Sequence, residues 1–115
     1  MEALAARIDA DPAALDELRG EGDGLAAGAD GPAASDGERD AALRWRIAVV
    51  RAVIAAPPDG DAVRELYGEL VDRYRDQPPR LAALRPLGDE IRRLEAEGTL
   101  ASSLVARSDR RPRRP

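Results

Sequence analysis

Apolar residues recur at helical intervals in three stretches of the chain, and prolines divide those stretches from one another. Between Glu38 and Ala56, Leu43, Ile47, Val50 and Ile54 fall on one stripe that Val53 widens, the spacing of an amphipathic helix. Pro57 and Pro58 end it, because proline has no N–H to donate and restricts the residue before it. Asp59-Gly60 predicts a turn. A second helix is predicted over 61–77, with Val63, Leu66, Tyr67, Leu70, Val71 and Tyr74 on one side and Pro78-Pro79 as its stop. Pro86 divides the third stretch, since proline is tolerated in a first turn but not in a helix interior. The expectation there is a turn or short helix at 80–85 and a helix from Pro86 to Glu97. That helix buries Leu87, Ile91 and Leu94 and is capped by Gly98. Beyond the glycine the period falls to two. Leu100, Ser102, Leu104 and Ala106 alternate with Ala101, Ser103 and Val105, which predicts a strand.

The N-terminal third reads differently. One or two short helices are predicted in residues 2–19, with Asp11 as a cap and Pro12 in the first turn of a segment running through Leu18. Residues 20–37, "GEGDGLAAGADGPAASDG", hold almost nothing large to bury and read as a flexible acidic linker. The predicted organisation is therefore an acidic, flexible arm and linker over 1–37, a folded domain over 38–111, and a basic tail over 112–115.

Composition narrows the chemistry. The 115 residues include neither Cys nor His, so a disulfide framework, a thiolate or imidazole metal site and a histidine general base are excluded. Leu, Ile, Val and Phe make up only about a fifth of the chain, a level at which order must be concentrated in part of it. No apolar run approaches the ~18 residues needed to cross a bilayer. These features predict a cytoplasmic, non-enzymatic protein with no cofactor, no metal and no membrane partner. Charge is placed unevenly. Residues 1–40 carry eleven acids and three arginines, whereas residues 41–115 carry fifteen arginines and eleven acids. All eighteen basic residues are Arg, and Arg107, Arg110, Arg111, Arg113 and Arg114 gather at the C-terminal end, a concentration that attracts polyanions.

Three helices, a tight entry into the last, a strand and a basic turn follow the order of a winged helix-turn-helix. In that fold one helix braces another whose polar face enters the major groove. From Val63 to Arg111 the chain resembles the C-terminal winged-helix domain of archaeal origin-recognition initiators, relatives of the eukaryotic origin-recognition and cell-division-control loaders. The resemblance lies in the tyrosine-bearing "RELYGELVDRYR", the junction "RRLEAEGTL" and the arginine-rich "SSLVARSDRR". It implies a mainly α fold, a three-helix winged helix-turn-helix with a short and incomplete β wing. Two features depart from the family. Pro86 stands where a second basic residue is typical of the recognition helix, and the GxxxxGK[ST] loop of the family's ATPase module is absent from a chain with no Lys. A truncated or stand-alone relative fits both.

The candidate DNA-contacting residues are Arg85, Arg92 and Arg93 on the third helix and Arg107, Arg110 and Arg111 in the wing. For Arg92 and Arg93 two uses stay open: phosphate or guanine contacts, or pairing along the helix with Asp89 and Glu90. Trp45 is expected at the rim of a small core, Tyr67 and Tyr74 within it, and Asp89-Glu90 on a solvated face. Double-stranded DNA is the partner this reading implies, in the manner of an origin-binding domain. A transcription regulator or a protein-interaction domain without DNA binding is the alternative.

Overall fold

The computed structural model describes residues 2–55 and 60–98, and these are mainly helical. In chain order the elements are α1 (Glu2–Ala10), a 3-10 turn (Pro12–Ala14), α2 (Leu15–Gly28), α3 (Asp36–Ala55), α4 (Gly60–Arg73), α5 (Pro78–Ala83) and α6 (Arg85–Ala96). No strand occurs among the described residues. The predicted strand at 100–106, the wing with Arg107, Arg110 and Arg111, and Asp59 of the predicted Asp59-Gly60 turn lie outside them, whereas Gly60 opens α4.

Local chemistry explains most of the boundaries. Asp11 sits before the 3-10 turn in an extended conformation, and its carboxylate accepts from the N–H of Ala13 at 3.2 Å, with Pro12 directly after it. The helix does not stop near Leu18, however. It runs as α2 to Gly28, through the glycines read as linker. At α3, Ser35 Oγ accepts from the N–H of Glu38 and the Glu38 carboxylate accepts from the N–H of Ser35, each at 3.1 Å. This reciprocal pair satisfies two donors that a helix start leaves open, and it begins α3 at Asp36, two residues before the sequence reading. The prolines at 78 and 79 open α5 instead of merely closing α4, which ends earlier, at Arg73. A missing N–H costs nothing in a first turn. Leu84 separates α5 from α6, and Pro86 lies in the first turn of α6, so no continuous helix passes through it. Gly98 follows α6 with φ +77°, a conformation that glycine adopts without strain.

Helix α3 is the centre of the fold, and it is buried on two sides. One side, with Ala42, Trp45, Ala48, Val49 and Ala52, receives Ile8 of α1 and Leu15, Leu18 and Ala26 of α2. The other side, through Leu43 and Val50, packs against Val63 and Leu70 of α4, Leu84, and Leu87 and Ile91 of α6, with Tyr74 beside them. The flexible arm expected over 1–37 is therefore replaced, over residues 2–29, by a packed helical layer. Small residues permit it. The Trp45 indole comes so close to α2 at Gly22 that any Cβ there would collide with the ring. Trp45 is 0% exposed, so it is a central residue of the first core and not a rim residue. Its indole N–H is satisfied by Asp23 Oδ1 at 2.9 Å. Tyr74 is buried as expected, Tyr67 is half-buried against the second core, and Leu94 is half-buried at the end of its stripe.

Candidate nucleic-acid interface

Helix α6 has one apolar side and one charged side. Leu87, Gly88 and Ile91 are buried, and Gly88 meets the Tyr67 ring of α4 so closely that a Cβ would lie 2.9 Å from Cζ and closer still to the hydroxyl. Two acids of α6 reach arginines of its neighbours. Glu95 pairs with Arg64 of α4, and Glu90 lies 3.8 Å from Arg51 of α3. Its orientation is set by the buried apolar side, and these part-exposed pairs add to it.

The outward side carries the sequence-predicted arginines. Arg85 and Arg92 are seven residues apart, two helical turns, so they share one stripe about 10 Å apart along the axis. Both are exposed. Asp89 stands between them and pairs with Arg92. Arg93 is also exposed and reaches Glu97 at 4.0 Å instead of Asp89 or Glu90. Both helical arginines therefore take the intrahelical pairing that the sequence left open, Arg93 with a different acid. Exposed pairs of this kind contribute about 0–1 kcal/mol and exchange readily. Arg85 has no ion pair among the described residues. The structure brings Arg85, Arg92 and Arg93 onto one helix; Arg107, Arg110 and Arg111 lie outside the described residues.

The other arginines are used internally. The described residues hold thirteen arginines and twenty acids, a net −7. Twelve of the thirteen lie within 4.0 Å of a carboxylate. The densest arrangement surrounds Asp30, which the sequence reading placed in the linker. Arg46 of α3 donates to both Asp30 oxygens, at 2.9 and 2.7 Å, and Arg73 of α4 donates to Oδ2 at 2.7 Å. Arg46 also donates to the Tyr74 hydroxyl at 2.8 Å, and its guanidinium lies 6.0 Å from the centre of that ring. Burial alone would raise the Asp30 carboxyl. The hydrogen bonds and charges of Arg46 and Arg73 outweigh it and hold the group below its ordinary value. Burial opposes the charge of Arg46 too, and hydrogen bonds to Asp30 and Tyr74 more than offset it, raising that group. One carboxylate thereby ties the turn after α2 to α3 and α4. An aspartate next to Gly31 and Pro32 carries no periodic signal, so only the fold reveals it.

Among the described residues no group of three or more acids converges as a metal site would require, and no helix is long and apolar enough to cross a membrane. No family model matches the chain, and neither a curated protein nor a solved structure matches it.

Proposed function

We propose that the protein is a non-catalytic binding module that engages duplex DNA with the outer side of α6 and the arginine-rich segment that follows it in sequence. One observation carries this reading: α6 is clamped along its apolar side while Arg85 and Arg92 share a solvent-facing stripe two turns long. Grooves are read by helices presented in this way. In the same reading residues 99–111 form the wing of a winged helix, and Arg107, Arg110 and Arg111 contact phosphates. The resemblance to origin-binding domains makes a replication origin the DNA concerned.

A second reading is favoured by the charge ledger. With twelve of thirteen described arginines already paired and a net of −7, the helical body suits protein contacts better than a polyanion. One experiment separates the two. Random-sequence duplex is titrated into the full chain at about 50 and 200 mM salt. The DNA reading expects affinity to fall with a log–log slope of about 0.9 per phosphate neutralised. Replacing Arg107, Arg110 and Arg111 with Ala then flattens the slope by about 2–3 and weakens all sequences alike. Replacing Arg85 and Arg92 instead erodes discrimination between sites. Absent or salt-independent duplex binding removes the DNA reading and leaves the protein-interaction module.

A further inference from the structure

Beside the Asp30 cluster is a pocket of about 220 Å³ lined by Asp30, Arg39, Arg73, Tyr74 and Gln77. The hydrogen-bond inventory of these five residues is one-sided. Both Asp30 oxygens are already taken by Arg46 and Arg73. Tyr74 Oη accepts from Arg46, which leaves its own proton to donate. Gln77 Oε1 accepts from Arg80 at 2.8 Å, which leaves the Gln77 amide Nε2 as a donor. Arg73 reaches Asp30 through Nη1 alone, so its Nε and second Nη have no hydrogen bond among the described residues. Arg39 is held weakly. Its Nη2 donates to the Gly31 carbonyl, and its nearest carboxylate, Asp36, is 3.9 Å away, 87% exposed and shared with Arg80.

The walls thus offer two guanidiniums, a phenol proton and an amide N–H₂, while each acceptor oxygen facing them already receives at least one hydrogen bond. A compact anion with several acceptor oxygens therefore finds four donor groups. Behind the wall, Arg46, with a side chain only 12% exposed, neutralises the Asp30 carboxylate, so Arg39 and Arg73 leave the lining with an excess of positive charge. We propose that this pocket binds a small tetrahedral oxyanion of the phosphate type, either as the free ion or as a phosphomonoester. The site lies among α3, α4 and the α2–α3 connection. It does not depend on the DNA reading, whose residues are elsewhere.

The test uses the full-length, isotopically labelled protein and follows amide resonances during titration with sodium phosphate. Ionic strength is held constant with sodium chloride, and phenyl phosphate forms a second arm. The expected result is a saturable shift of the Gln77 side-chain amide and of the backbone at Asp30 and Tyr74. Arg39→Gln, which leaves the Asp30 bridge intact, weakens that binding about tenfold, and Arg73→Gln does the same if it folds. Arg75→Gln, whose arginine pairs only with Asp72 among the described residues, changes nothing. Tighter binding of phenyl phosphate than of phosphate identifies a phosphomonoester as the ligand, and the reverse identifies the free ion. Shifts that do not saturate, that fall only on the C-terminal arginines, or that persist undiminished in Arg39→Gln overturn the proposal.

Discussion

Two glycines two positions apart on α2 have opposite surroundings. Gly24 faces open space, with no atom near the place a Cβ would occupy. A Cβ at Gly22 would lie 2.5 Å from Cη2 of Trp45 and closer still to Cζ2 and Cε2. In a helix interior glycine costs about 1 kcal/mol relative to alanine. Gly24→Ala is therefore expected to stabilise the protein by about 0.5–1 kcal/mol. Gly22→Ala gains the same propensity but must displace an indole that is fully buried and held by Asp23. Overpacking of that kind costs about 1–3 kcal/mol, so the net effect is a loss. Urea unfolding midpoints of the two variants should move in opposite directions. Gly88→Ala falls between them, since the Tyr67 hydroxyl it meets is the outer end of a half-buried side chain that can swing aside.

At the level of elements, α3 depends on its start. Ser35 and Glu38 satisfy each other's backbone N–H, and loss of such a cap costs about 0.5–2 kcal/mol. Ser35→Ala should lower the melting temperature measured by calorimetry, and Ser35→Asp should largely restore it, because Asp caps as well as Ser. The Ser-x-x-Glu pattern stands in the sequence just before an apolar run, yet the sequence reading left Ser35 in the linker and began the helix at Glu38. The stripes of α3, α4 and α6 and the break at Pro86 were legible, because large apolar residues recur at period 3.6 and prolines mark the ends. Helix α2 was not. Its interior glycines and alanines argue for a linker on propensity, and what stabilises it is close approach to Trp45 from another helix, information that no local window contains. The two-sided burial of α3 was missed likewise. Ala42, Ala48 and Ala52 are too small to register as a second stripe, yet they let α1 and α2 come close. Of the candidate interface, the exposed side of α6 was readable from the stripe opposite it. The Asp30 cluster was not, because its members come from segments up to 44 positions apart.

For the whole molecule, charge sets the response to pH. With no His and no Cys, no side chain has an ordinary pKa between about 5 and 8, so stability is expected to be nearly flat across that range. The acid limb is different. Asp30 titrates lower in the folded protein than its unfolded value of about 3.9. A group with a depressed folded pKa contributes stability that is fully present above the unfolded value and is lost as pH falls through the folded one. The Asp30 contribution is therefore intact at pH 7 and declines from about pH 4 downward. Protonation there removes the carboxylate that joins the turn after α2 to Arg46 and Arg73, and Arg46 is then left mostly buried without its charge partner. Asp30→Asn makes that loss permanent while keeping one acceptor. It is expected to cost about 1–3 kcal/mol at pH 7, the range for a buried polar group left partly unsatisfied, and to reduce the further loss between pH 5 and pH 3. Urea midpoints of wild type and Asp30→Asn at pH 7, 5, 4 and 3 measure both. Curves that stay parallel down to pH 3 would show that the acid sensitivity resides in other carboxylates and that the Asp30 bridge is not its source.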